Sequence, residues 1–215
     1  MKRLLFISCL TIFISYHTAQ AQAPGKWLHT GVSLVSYKGD LSTYDGYSAA
    51  FHAGIQFNNK KRLNGGFVLG LGSVTGENRD FFANNQSPQT PNRFFKTNFF
   101  HINYDLHINL VKKENFIAYL SQGVGFIRFT PTDQFGEDLQ DQSNTREEDE
   151  SYRNSSFMLP TKAGAMYFLP NGYGLGLEAG FFNTMTDYLD NISALGEDGN
   201  DNLLAFRFSF YVPLQ

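Results

Sequence analysis

The chain has 215 residues with 17 Lys and Arg against 20 Asp and Glu, a formal net charge of −3. An acidic balance of this kind excludes a nucleic-acid-binding face, which needs a surplus of cations to displace phosphate counterions. Its 22 Phe, 11 Tyr and 20 Gly, against 7 Pro and 1 Trp, suit strands with bulky outer faces around a cramped interior, and its 1 Cys excludes an internal disulfide.

The first element reads as an export signal over residues 1–21. Lys2 and Arg3 form a positive start, Leu4 to Ile14 is mostly apolar, and Ala19-Gln20-Ala21 supplies small residues at the spacing signal peptidase needs. Ala21-Gln22-Ala23 is a second cleavage candidate. The apolar stretch is too short for a membrane-spanning helix, which takes about 20 residues. Cys9 lies inside this leader, so residues 22–215 carry no cysteine. Removing Lys2 and Arg3 from the 17 basic residues leaves 15 against 20 acidic ones, a net charge of −5.

Period-two alternation dominates the rest. Strands are predicted over Trp27–Tyr37, Tyr47–Asn58 and Leu63–Val74. The clearest follows at Phe99–Leu110, where Phe100, Ile102, Tyr104, Leu106, Ile108 and Leu110 share one face and His101, Asn103, Asp105, His107 and Asn109 the other. Phe116–Phe129, Phe157–Phe168, Tyr173–Phe182 and Phe206–Val212 complete eight, each near the 9–11 residues that cross a bilayer at a tilt. Short connections (Asn59–Arg62, Lys112–Asn115, Leu169–Gly172) alternate with long ones (Lys38–Gly46, Thr75–Arg93, Thr130–Ser155, Asn183–Asp201). Outer-membrane barrels have this rhythm, with tight periplasmic turns and long external loops. The expected fold is all-β, an eight-stranded antiparallel up-and-down transmembrane β-barrel with periplasmic termini. A soluble barrel of lipocalin type reverses the polarity, with large apolar residues inside.

Polar residues on the alternating strands are expected in the lumen: His52, His101, Asp105, His107, Arg128, Lys162, Glu178 and Arg207. His101 and His107 are six residues apart on one strand, roughly 20 Å, so they do not share an ion. The charges are expected to pair across a filled core with no open pore, since an unpaired charge there costs several kcal/mol. Neither Gly-x-Ser-x-Gly nor His-Glu-x-x-His nor a phosphate-cradling glycine loop occurs. Ser48 and His52 share a face but stand about 13 Å apart along a strand, so no catalytic residue and no cofactor is expected. The Thr130–Ser155 loop carries Asp133, Glu137, Asp138, Asp141, Glu147, Glu148, Asp149 and Glu150 against Arg146 and Arg153. It lacks the ligand spacing of a calcium loop, as does Glu197–Asp201, and reads as a solvated loop. A surface-exposed binding protein or adhesin using these acidic loops is the alternative function.

Two segments carry a family resemblance. Val35-Ser36-Tyr37-Lys38-Gly39-Asp40-Leu41 closes the first strand, and Thr186-Asp187-Tyr188-Leu189-Asp190-Asn191-Ile192-Ser193 follows the seventh. Both resemble the PorG-like outer-membrane barrels of Bacteroidetes, associated with the periplasmic ring of type IX secretion and gliding machinery. The resemblance implies a non-catalytic scaffold or anchor embedded in outer-membrane lipid, with periplasmic secretion-machinery proteins as partners. As rim devices, Gly39 would permit a tight or positive-φ turn and Asp40 would cap amides. Asp187 and Asp190 would tie the last external loop to the rim, with Tyr37 and Tyr188 at the interface. A docking partner would meet the basic turns holding Lys60, Lys61, Arg62, Lys112 and Lys113.

Overall fold

The computed structural model describes residues 25–80, 93–142, 145, 152–193, 196 and 199–214. The expected leader at 1–21, residues 81–92 and the acidic run 146–151 lie outside the described residues. Nine strands make one antiparallel sheet: β1 (Lys26–Gly39), β2 (Ser42–Thr43), β3 (Ser48–Phe57), β4 (Leu63–Glu77), β5 (Phe94–Lys112), β6 (Phe116–Thr132), β7 (Ser155–Phe168), β8 (Gly174–Thr184) and β9 (Asn202–Pro213). Strand β2 is a two-residue hook folded back on Lys38 and Gly39. The other strands pair in chain order, and β9 returns to β1 from Trp27↔Pro213 to Lys38↔Asn202. The result is a closed eight-stranded barrel without a free edge.

The register sets its size. Stepping from partner to partner, Lys26 leads through Phe57, Gly65, Leu106, Gln122, Thr161, Phe181 and Leu204 back to β1 at Ser36, ten residues further on. With strands about 4.8 Å apart and a rise of about 3.3 Å, that stagger tilts them about 40° and gives a backbone radius of about 8 Å. Such a ring has room for side chains only. Large and small residues are therefore matched across the ladder: His29 faces Gly54, His52 faces Gly31, His101 faces Gly70, Asp105 faces Gly123 and Tyr119 faces Gly164. A Cβ at Gly164 would stand 2.6 Å from the Tyr119 hydroxyl.

Polarity is inside out along the middle of the wall. Outward residues such as Phe51 (59% exposed) and Leu177 (64% exposed) join Phe67, Leu69, Ile102, Phe206 and Phe208 in an apolar belt. Inward ones include His52, Asn103, Asp105, Lys162, Glu178 and Arg207, all buried. Leaving such a belt in water would forgo about 25 cal/mol for every Å², which fits a hydrocarbon surround and not a lipocalin.

The alternation inverts toward the long-loop end. Here the inward residues are apolar (Val35, Tyr37, Phe95, Phe99, Ile127, Phe129, Met158, Phe182, Leu203) and form one cluster with Leu41, Leu139, Leu189 and Ile192. Outward positions turn polar, with Lys96, Asn98, Arg128 and Thr130 exposed. A second inward cluster, Trp27, Ile117, Tyr119, Met166, Phe168 and Tyr211, fills the short-turn end, where Trp27 stacks on Phe168 at 4.7 Å between ring centroids. The polar layer is thus sandwiched between two apolar ones.

The inversion corrects two expectations. Strands β4, β5, β6 and β9 run past the stretches where outward residues are apolar; β5 starts at Phe94 instead of Phe99, and β9 at Asn202 instead of Phe206. Arg128, expected in the lumen, points outward beside Phe100 and Ser155. Its parity is that of Val124 and Phe126, and above the belt a polar residue belongs outside.

Candidate functional site

Three groups of residues have built surroundings: the middle of the lumen, the mouth at the long-loop end, and the basic turns. In the lumen, β5 presents His101, Asn103 and Asp105 at period two, while β7, β8 and β9 present Lys162, Glu178 and Arg207. Lys162 Nζ lies 2.5 Å from Asp105 Oδ2 and 3.5 Å from Glu178 Oε1, and Arg207 Nη1 is 3.4 Å from Glu178 Oε2. Two cations face two anions, so the layer is neutral. Asn103 extends it, donating to Asp105 Oδ1 at 2.8 Å, with its own Oδ1 3.0 Å from His101 Nδ1. His52 lies between the Ser33 hydroxyl at 2.9 Å and the Ser209 hydroxyl at 2.7 Å, and His107 Nδ1 sits 2.7 Å from Gln56 Nε2. The network is one of mutual satisfaction, and burial on this scale is tolerable only because nearly every charge has a partner. Arg207 Nη1 and Nη2 make no hydrogen bond, the one loose end among these charges.

At the mouth, the β8–β9 connection folds down into the barrel. Leu189 and Ile192 enter the apolar cluster with Tyr37, Leu41 and Phe95, and Tyr37 meets Phe95 edge-on at 4.7 Å. The Tyr37 hydroxyl stands 2.7 Å from Asp190 Oδ2 and 2.7 Å from Asp201 Oδ1. Both carboxyl groups are buried. A phenol has one proton and can donate to only one of them, so the second contact requires a carboxyl that carries its own proton. Burial pushes Asp190 up to about 8, with the nearby Asp40 charge adding to the rise. Burial and then the Asp190 charge hold Asp201 well above the carboxylate range. Backbone amides fix the geometry: Leu189 N donates to Asp201 Oδ2 at 2.7 Å, and Ile192 N to Asp190 Oδ1 at 2.9 Å. The Thr97 hydroxyl donates to the Leu189 carbonyl, and the Thr145 hydroxyl to the Asn191 carbonyl at 2.6 Å.

The two sequence motifs thus meet in space. Tyr37 touches Asp190; Thr186 accepts Asp201 N at 2.8 Å through its carbonyl; Tyr188 packs edge-on against Tyr152 at 5.4 Å. Asp40 and Asp187 are half-buried and bear on the two buried carboxyls through charge. Gly39 leads into the tight Asp40–Leu41 turn that pairs it with Ser42, but not by way of a positive φ. It is not among the positive-φ residues, whereas Tyr44 (φ 60) is; a Cβ at Gly39 would collide with the Tyr37 hydroxyl and Asp201. The glycine is there for space. Asp201, the partner that sequence reading missed, lies outside both motifs, and only its place one residue before β9 hints at the rim.

The short turns bring their cations together. Lys112 Nζ donates to the Asn58 carbonyl at 2.7 Å and the Lys60 carbonyl at 2.9 Å, which ties the β5–β6 turn to the β3–β4 turn. Lys60, Lys61, Arg62 and Lys113 are exposed beside it. Among the described residues no three His, Cys, Asp or Glu side chains are grouped to hold a metal ion.

Residues 5–210 match the family model described as outer membrane protein beta-barrel domain. No curated protein matches the chain. Among solved structures, the chain is similar to Neisserial surface protein A (NspA) of Neisseria, with a TM-score of 0.57 at 10% identity over 88% of this chain and 97% of that one. Ail, the attachment invasion locus protein of Yersinia pestis, in complex with the heparin analogue sucrose octasulfate, gives 0.49 at 12% identity over 86% and 96%. The N-terminal β-barrel domain of Pseudomonas aeruginosa OprF gives 0.44 at 9% over 89% and 100%. Identities this low speak for the fold alone.

Proposed function

Because the chain belongs to the outer membrane protein beta-barrel domain family, we propose that it is a non-catalytic barrel that works as a scaffold or anchor through its two ends, as a component of type IX secretion. One observation carries this reading: the polar layer of the lumen is ion-paired and sealed by an apolar cluster on either side. A wall filled in this way offers no route for a solute, so function falls to the surfaces that leave the bilayer. The alternation of short turns and long loops favours periplasmic termini. That puts the cluster of Lys60, Lys61, Arg62, Lys112 and Lys113 in the periplasm, where it suits an acidic face of a secretion-machinery protein. The resemblance of the Tyr37 and Asp187 segments to PorG-like barrels supports the same assignment.

The test is the fate of secreted cargo in a deletion strain. Export that fails, and returns on complementation with the wild type but not with Lys60, Lys61, Arg62 and Lys113 reversed to Glu, supports the scaffold. Lys112 is left alone because it braces the turns. Unchanged export in the deletion strain removes the secretion role.

A further inference from the structure

The outward face near the long-loop end holds a recess that the scaffold reading does not use. Its volume is ≈ 490 Å³, and it lies where the ends of β6, β7 and β8 meet the final loop. The lower wall is apolar and belongs to the belt: Phe126, Phe157 and Met185, all exposed. The upper wall is polar, with Arg153, Ser155, Thr186 and Asn200. Arg128 stands alongside, its ladder partners being Phe100 on one side and Ser155 on the other. The ladder continues above, where Phe129 N donates to the Asn154 carbonyl at 3.0 Å, so Arg153 and Arg128 project from neighbouring strands on the same outer surface. Both are exposed, and neither has an ion pair or side-chain hydrogen bond among the described residues.

The position of these cations is their chemistry. A guanidinium level with Phe100 and one residue pair above Phe126 and Phe157 sits where acyl chains give way to head groups, and its planar fork matches a phosphate with two hydrogen bonds. The geometry points to a binding site for a phosphorylated glycolipid of the outer leaflet: acyl chains against Phe126, Phe157 and Met185, phosphate on Arg128 and Arg153, and sugar hydroxyls on Ser155, Asn200 and the half-buried carboxylate of Asp187. The amphipathic wall selects a lipid over free phosphate, because half of the recess offers nothing to a bare anion. The inference rests on the proposed orientation, which is checked separately by labelling a cysteine placed at the highly exposed Phe135 on intact cells.

The binding test is independent of orientation. The full-length barrel in detergent is titrated with bisphosphorylated lipid A and with its dephosphorylated form, and bound lipid is counted by native mass spectrometry. At least tenfold tighter binding of the phosphorylated lipid is expected, together with loss of that preference in the Arg128→Gln/Arg153→Gln double variant. Both substitutions lie on exposed positions, and an unchanged heat-modifiable gel shift verifies the fold. Equal affinity for the two lipids, or a double variant that keeps the preference, overturns the site.

Discussion

Replacing Lys162 by Met tests whether the lumen is dry. The Lys162 side chain is 1% exposed, and it bridges Asp105 at 2.5 Å and Glu178 at 3.5 Å. Met fills much of the same volume but leaves two carboxylates facing one guanidinium. Removing one partner of a buried pair costs about 3–5 kcal/mol, because the remaining charge is stranded without water. With a guanidinium slope of about 4 kcal/mol/M, that lowers the unfolding midpoint by about 1 M. Trp27 is the only tryptophan in the chain, is buried, and stacks on Phe168, so its fluorescence reports loss of the barrel in phosphocholine vesicles. Adding Asp105→Asn to Lys162→Met restores a neutral layer built on Glu178 and Arg207, and most of the lost midpoint returns. A single variant within about 0.5 kcal/mol of wild type, the range of surface substitutions, would refute the argument: water would then be hydrating these charges.

Further outcomes follow from the mouth and the wall. Asp190 has a folded value of about 8 against an ordinary 3.8, so the docked loop holds a proton that the detached loop releases; docking is complete below about pH 4 and weakens as pH rises toward 8. The protection of residues 185–193 against hydrogen exchange, taken relative to the intrinsic base-catalysed rate at each pH, therefore falls between pH 5 and 8.5, and Asp190→Asn flattens the dependence. Tyr37→Phe loosens the same loop by about 1–3 kcal/mol while the heat-modifiable gel shift of the ring survives. Gly54→Val places a branched side chain against His29 and lowers folding yield or stability by about 1–3 kcal/mol, read by the same gel shift. Arg207→Ala costs about 3–5 kcal/mol and Arg128→Ala under about 0.5; comparable losses would put Arg128 back in the lumen.

The barrel was legible because a bilayer imposes one rule along the middle of every strand. Phe100 to Leu110 and Phe206 to Val212 announce their outer face without reference to any neighbour. Outside the bilayer the rule lapses, and there the reading erred. Ile127 and Phe129 turn inward and Arg128 outward because the wall is wet and the mouth is packed, which parity with Phe126 would have revealed. The motifs around Tyr37 and Asp190 could be placed at the rim. Their contact with Asp201 could not, since it depends on a loop folding back, and no local period records that. Gly39 illustrates the same limit: a glycine kept for a neighbour's hydroxyl looks in sequence like one kept for a positive φ.

The uneven strand lengths have a consequence for what the loops can sense. Strand β5 has 19 residues and β6 has 17, whereas β8 has 11. At about 2.5 Å of height per tilted residue, β5 is roughly 20 Å longer than β8. The mouth is therefore slanted, with a tall wall formed by the upper ends of β5 and β6 on one side and a low sill at β8 on the other. Charges interact over about 8 Å at physiological ionic strength, so a large body resting on the upper ends of β5 and β6 would be electrically invisible to the sill.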